Sequence, residues 1–409
     1  MNWFTLLPVC LALIGGAISF FGMRDSRGIV SKFGWVGLIV TCLLFLYAAV
    51  AAWVFVPALP LALASIVIIF SAQIISRDKQ MWIWVSAAGV FVLASLGLVA
   101  ASPTFIMATV LKSLEPKSCN ADLWQVEHVI KLPAATPELY ENFWLEEDGS
   151  YLVTAATRAE VLRVSPGGEV DLIATLPAGE FDLMSFTGMI SGIVKDRDGI
   201  IYTLVNSKSA QDHGLWRIDE ANGPKLEVLF PPDTRTNGMD IDQNGRFFVA
   251  DSATGSIWRV AGNGASPQLW HQSSESGSKN RLPFPTANGL KLLPDQVILS
   301  NTQGKRIIRV EITQDGSAGD LQTLSTGIAA DDFAVAMDGR IFLTTHPFNS
   351  VIEIGSGQAC SFVSDVTTFA MGPTAALYDG EHLHVLNDGG FSKPVEGGFP
   401  SIVVLRPPN

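Results

Sequence analysis

Six residues recur at one place in a repeated pattern, and most of them carry side-chain oxygen. Glu141, Ser191, Asn237, Asp331 and Gly372 each stand eight residues before a turn glycine (Gly149, Gly199, Gly245, Gly339 and Gly380). Asn288 stands eight before Gln296, in the turn Pro294-Asp295-Gln296. If these positions converge, Glu141, Asn237, Asn288 and Asp331 form an oxygen-only set without His or Cys. Such a set suits a hard cation such as Ca2+ or Mg2+ and does not suit zinc. Asp332, beside Asp331, adds a further oxygen. Carboxylates gathered at one point repel without a cation, which favours a metal, although Asn-Gly and Asp-Asp also shape tight turns for backbone reasons.

A second set follows where each returning strand ends: Asn206-Ser207, Asp251-Ser252, Asn301-Thr302, Thr345-His346 and Asn387-Asp388. Asp251 and Asn301, with Asn237 and Asp332, are candidate substrate contacts. His346, in TTHPFNS, brings an imidazole toward the same point and could move protons. Asp331 and His346 are therefore the candidate catalytic residues. A lone loop histidine also serves structure, and His213 occupies an equivalent loop. His128, His271, His382 and His384 fall on strands or outer turns, where packing accounts for them. There is no Gly-x-Ser-x-Gly elbow, Walker loop or Cys-x-x-Cys pair.

The elements that must position these residues are short strands. In NGMDIDQNGRFFVADSATGSIWRV (Asn237 to Val260), apolar and polar residues alternate, Asn244-Gly245 turns the chain, and two more strands follow. The six starts are 50, 46, 51, 43 and 41 residues apart, which suits one four-stranded propeller blade each. The first residue of each innermost strand then lies at one mouth of a central channel. The sixth repeat is one strand short, and Trp124–Leu132 precedes the first repeat, so that strand is expected to complete the last blade and close the ring.

Glu, Asn, Asn and Asp at the inner-strand starts of blades one, three, four and five resemble the calcium site of the senescence marker protein/gluconolactonase family. Paraoxonases and phosphotriesterase-like propellers share that pattern. The resemblance covers residues 124–409, in segments such as NGMDIDQNGRFFVADS, ANGLKLLPDQVILSN and DDFAVAMDGRIFLTTHP. It implies that Glu141, Asn288 and Asp331 ligate the metal directly and that Asn237 serves as ligand or substrate contact. The chain departs from the pattern in YENFW, where family members more often have Glu-Gly-Pro, and in DDF, which stands for Asp-Gly. These departures mark a divergent branch.

Composition splits the 409 residues near residue 115. Residues 1–120 hold seven Lys/Arg and three acids; the remainder holds 20 and 36, a net charge of −16. An acidic surface of this kind argues against nucleic acid. Four apolar runs (Trp3–Met23, Trp35–Val56, Ala58–Ser76 and Met81–about Leu111) are each long enough to cross a bilayer core of about 30 Å as a helix. Arg24, Arg27 and Lys32 flank one loop and Arg77 and Lys79 another, which places those loops in the cytoplasm and the C-terminal domain outside. No ionisable residue lies within the apolar cores, which argues against a transporter.

The fold expected is thus an all-β six-bladed β-propeller at 137–409, after a four-helix membrane region at 1–115 and a linker with the closing strand at 116–136. Cys10 and Cys42 fall in the membrane runs; Cys119 and Cys360 could pair in an extracytoplasmic setting. Two functions compete: a membrane-anchored, metal-dependent hydrolase of lactones or esters, or a binding module that the cation only stiffens. A propeller like strictosidine synthase, which needs no metal, is the third alternative.

Overall fold

The computed structural model describes residues 124–134, 139–182, 185–261, 265–277, 285–355, 360–363, 371–390 and 398–407. The four N-terminal apolar runs lie outside these residues, as does Cys119; of Cys360 only the backbone is described. Among the described residues no helix is long and apolar enough to cross a membrane.

The described chain is almost entirely strand. After β1 (Gln125–Lys131), blade 1 is built from β2 (Tyr140–Leu145), β3 (Tyr151–Ala155), β4 (Glu160–Val164) and β5 (Val170–Thr175). Blade 2 takes β6 (Met189–Lys195), β7 (Ile201–Asn206), β8 (Gly214–Asp219) and β9 (Gly223–Leu229). Blade 3 takes β10 (Thr236–Ile241), β11 (Phe247–Asp251), β12 (Ser256–Val260) and β13 (Gln268–His271). Blade 4 follows with β14 (Ala287–Leu293), β15 (Gln296–Asn301), β16 (Arg306–Ile312) and β17 (Ala318–Thr326). Blade 5 has β18 (Phe333–Val335), β19 (Ile341–Thr345), β20 (Ser350–Ile354) and β21 (Cys360–Val363). Blade 6 has β22 (Pro373–Tyr378), β23 (Leu383–Asp388) and β24 (Pro400–Arg406), and β1 is its fourth strand.

Each sheet is four-stranded and antiparallel, and the innermost strands touch in the cyclic order β2, β6, β10, β14, β18, β22 and back to β2. The ring is closed as the sequence implies: β1 pairs with β24 from Gln125 opposite Arg406 to Lys131 opposite Ser401. One sheet cannot bury both faces alone, so the apolar residues of each blade pack on the next. Six core clusters fill the six seams. The seam between blades 5 and 6 shows how the chain start locks in: Trp124 stands edge-on to Phe342 at 5.2 Å between ring centres.

The turn glycines have the left-handed backbone that their position demands; Gly245, for instance, has φ of 73°. The innermost strands also carry a feature invisible to periodicity. In blades 1 to 4 the pairing slips by one residue at the same place, so that Glu141-Asn142, Ser191-Gly192, Asn237-Gly238 and Asn288-Gly289 each face a single residue of the next strand. In blade 5, Asp331 and Asp332 both bond Thr344 through the main chain, the same two-against-one arrangement. A bulge of this kind re-aims a side chain relative to the regular pleat.

Candidate metal centre at the channel mouth

The bulges turn Glu141, Asn237, Asn288 and Asp331 toward one another. Asn288 Nδ2 donates to Asp331 Oδ1 and, at 2.9 Å, to Thr302 Oγ1. Asn237 lies beside Glu141 and favours its charged form, and Glu141 is close enough to Asp331, His346 and Asp388 to feel the charge of each. Ser191, at the fifth position, turns instead to the main chain of blade 3, its hydroxyl donating to Thr236 O at 2.9 Å.

The sixth position is filled from elsewhere. A β-carbon at Gly372 would overlap Asp388 Oδ1, so the glycine leaves space for a carboxylate that arrives from the end of β23. The Asp388 side chain is 0% exposed; its Oδ1 accepts the Gly390 N–H at 2.7 Å and its Oδ2 meets His346 Nε2 at 2.6 Å. His346 Nδ1 in turn lies 3.6 Å from Asp331 Oδ2. The imidazole opens a short turn, His346–Phe348, directly after β19. The result is a line, Asp388–His346–Asp331–Asn288, with Glu141 and Asn237 beside it.

Electrostatics at this mouth are dominated by unbalanced negative charge. Burial, then the neighbouring Asp331, pushes the Glu141 carboxyl up to about 8. Burial also pushes Asp331 up to about 6, with His346 pulling the other way. Burial alone would lower the His346 imidazole, but Asp388, Asp331 and Glu141 outweigh it and raise the group to about 9. Three carboxylates thus share one imidazolium. Among the described residues no three of His, Cys, Asp and Glu form a metal cluster by themselves, so any ion here needs the carboxamides of Asn237 and Asn288 as well. The donor set fits a hard cation on that condition: all four ligand candidates carry oxygen, and half a turn of the Asn288 carboxamide replaces its N–H groups with its oxygen.

The remaining candidates go elsewhere. Asp332 is a layer further along the channel, its Oδ2 accepting Lys291 Nζ at 2.8 Å and Asn142 Nδ2, from across the ring, at 3.4 Å. Its Oδ1 has no hydrogen-bond partner among the described residues and lies where a side chain on residue 289 would be, which requires Gly289. Asp251 is fully buried and accepts the N–H groups of Arg235 and Ala253, both at 2.9 Å. Asn301 Nδ2 donates to Glu275 O and Ser276 O, both at 2.9 Å. Both residues hold loops, and these polar atoms are taken up in doing so.

Their neighbours clasp the next blade. Asn206 Nδ2 donates to Thr236 O at 2.7 Å, Ser252 Oγ to Ala287 O at 2.7 Å, and Thr302 Oγ1 to Ala330 O at 2.6 Å. His213 is buried and bonded to Thr234 Oγ1 at 2.9 Å; burial lowers its imidazole, which keeps it neutral. Of the second set, His346 and Asp388 reach the centre, and Thr302 touches it through the Asn288 carboxamide. Asp388 belongs to that set by its place in the chain, and nothing in the local sequence singles it out.

No protein-family model matches the chain, and no curated protein does. Solved structures do. A PQQ-bound aldose sugar dehydrogenase from Streptomyces coelicolor is 14% identical with a TM-score of 0.53, covering 71% of this chain and 99% of that one. A gluconolactonase from Xanthomonas campestris is 15% identical with a TM-score of 0.51, covering 72% and 98%. A luciferin-regenerating enzyme is 13% identical with a TM-score of 0.50, covering 68% and 94%. At this identity the likeness shows the fold, a six-bladed propeller. Propellers of this shape carry a dehydrogenase and a lactonase alike, so function has to be argued from the site.

Proposed function

We propose that this chain is a membrane-anchored, extracytoplasmic hydrolase of the lactonase or esterase type, dependent on a hard divalent cation such as Ca2+ or Mg2+. The observation that carries the reading is the meeting of Glu141, Asn237, Asn288 and Asp331 at one channel mouth with more buried carboxylate than the single imidazole balances. Membrane anchoring and the outward orientation are supported by the four apolar runs and the basic residues between them. Alkaline phosphatase fused after Asn409 would be active with the propeller outside and inactive otherwise. The gluconolactonase neighbour is consistent with lactone chemistry.

Glu141, Asn288 and Asp331 would hold the ion, and Asn237 would hold either the ion or the substrate. A bound cation supplies polarisation of the substrate carbonyl and stabilises the charge that develops on its oxygen. Asp331 stands beside that point and takes the proton of the attacking water. His346, held at Nε2 by Asp388, presents Nδ1 on the Asp331 side; raised above neutrality, it carries a proton to give to the departing alkoxide rather than a lone pair to abstract one. Asp388 orients the ring.

The test is turnover of a panel of aldonolactones, aryl esters and phosphotriesters by the purified full-length protein, with calcium and with chelator. Calcium-dependent hydrolysis of a lactone or ester is expected. No turnover while calcium still stabilises the protein would make it a binding module. Turnover that survives chelation would instead point to a metal-free propeller chemistry.

A pH dependence follows from the same groups. Each of Glu141 and Asp331 has its folded value raised, so the ion-free protein has their full contribution below about pH 4 and loses it as pH rises through about 6 and about 8. A cation reverses that loss by holding the ionised forms, and protons compete with it at low pH. The difference in Tm between calcium and chelator is expected to grow from about pH 5.5 to about pH 8.5, and Glu141→Gln should flatten it. A difference that shrinks over this range would contradict the assignment.

A further inference from the structure

Bulges leave a backbone N–H without a strand partner, and something must bond it. In blade 1, Thr154 Oγ1 accepts the Asn142 N–H at 2.9 Å and lies 3.1 Å from Asn142 O. In blade 4, the Gly289 N–H is shared between Ser300 Oγ at 2.8 Å and Asp331 O of blade 5 at 3.0 Å, and Ser300 Oγ donates to the same Asp331 O at 2.6 Å. In blade 5, Thr344 Oγ1 accepts the Asp332 N–H at 3.0 Å and lies 2.9 Å from Asp332 O and 3.0 Å from Thr374 O of blade 6. All three hydroxyls belong to residues with 0% exposure.

The distribution of these hydroxyls around the ring is uneven. The residue opposite the bulge is Leu204 in blade 2 and Ala250 in blade 3, neither of which has a hydroxyl; in blade 2 the neighbouring Thr203 Oγ1 donates to the bulge carbonyl, Gly192 O, at 3.0 Å and accepts no bulge N–H. The three blades in which a hydroxyl accepts the bulge N–H are those whose bulge opens with Glu141, Asn288 or Asp331. A general device for holding the bulge N–H would be present in all the blades that have a bulge; this one accompanies the three residues read above as direct ligands.

We propose that Thr154, Ser300 and Thr344 are positioning residues for the cation site: each locks the backbone next to one direct ligand, and Ser300 fixes the ligand residue of the following blade through its carbonyl. The inference rests on the metal reading above. Groups one step removed from a ligand usually change affinity by about 10–100-fold when lost, because the ligand oxygen then samples positions off the ion. A hydroxyl that only stabilised the fold would lower Tm and leave affinity alone.

The experiment is calcium titration by calorimetry of the full-length protein and of Thr154→Val, Ser300→Ala and Thr344→Val, of which the valine variants keep the side-chain shape. Tyr151→Phe is the control, removing a buried hydroxyl that bonds His384 Nδ1 at 2.8 Å at the opposite end of β3. Each of the three is expected to weaken calcium binding by about 10–100-fold. Thr154→Ser, Ser300→Thr and Thr344→Ser should restore it to within a few-fold, and Tyr151→Phe should lower Tm without changing the affinity. If the unaltered protein binds calcium and the three variants bind it equally well, or if Tyr151→Phe weakens it as much as they do, the positioning role is wrong and the metal reading stands. If the unaltered protein binds no calcium, both are wrong.

Discussion

Replacing Asp331 with asparagine should remove calcium binding and turnover together while leaving the ion-free protein at least as stable as before. The carboxylate is the hub of the site, accepting from Asn288 and facing His346 Nδ1 at 3.6 Å. Burial disfavours its charge, and without a cation that charge is a cost to the fold. Asparagine keeps the shape and drops the charge. Hydrolysis of whichever lactone or ester the protein takes is expected to fall by roughly 10^2–10^3-fold, the scale of losing one preorganised electrostatic group. In chelator the variant's Tm should match or exceed that of the unaltered protein. In calcium the order reverses, because an ion held at 100 times its Kd adds about 2.7 kcal/mol that the variant cannot gain. A variant that still shows the calcium-induced rise in Tm would show that Asp331 is not a ligand.

The second large effect is expected one layer further along the channel. The side chain of Asp332 is 6% exposed, and Lys291 Nζ, at 2.8 Å, is the cation that answers it. Asp240 stands near the same ammonium, with its own oxygens bonded to the N–H groups of Ile241 and Leu292, both at 2.8 Å. Lys291→Met leaves the buried Asp332 without its paired charge, with the half-buried Asp240 nearby, and breaking a buried pair on one side costs about 3–5 kcal/mol. Denaturant unfolding measures this directly. The double variant Lys291→Met with Asp332→Asn should recover most of the loss, since the stranded charge is then gone. A neutral Lys291→Met would mean that water already screens the pair.

These two layers show where sequence is readable and where it is not. The blade starts could be counted out from turn glycines, because a left-handed turn demands glycine and the hairpin fixes its distance from the strand start. The closing strand was legible for a similar reason: a ring cannot end with an open edge, and Trp124–Leu132 was the apolar strand left over. The convergence of Glu141, Asn237, Asn288 and Asp331 followed from both.

Other features left no trace in the pattern. A bulge adds one residue to one strand, which shifts the pairing without disturbing the apolar alternation enough to be seen. At strand ends, Asn, Ser, Thr and Asp look alike whether they turn to the axis or grip the next blade. Asn206, Ser252 and Thr302 grip; His346 and Asp388 turn inward. Asp388 was hidden because its place in the ring belongs, by counting, to Gly372. The Lys291–Asp332 pair joins blades 4 and 5 through register alone, and nothing local to either residue announces the other.

The claim on which the function depends is that oxygens from three separate blades hold one ion on the channel axis. The most direct measurement is a crystal structure of the protein grown with calcium. One strong peak within about 2.3–2.6 Å of oxygens from Glu141, Asn288 and Asp331 is the expected result. A mouth holding only water, or an ion bound by other residues while Asn288 keeps its hydrogen bond to Asp331, would contradict it.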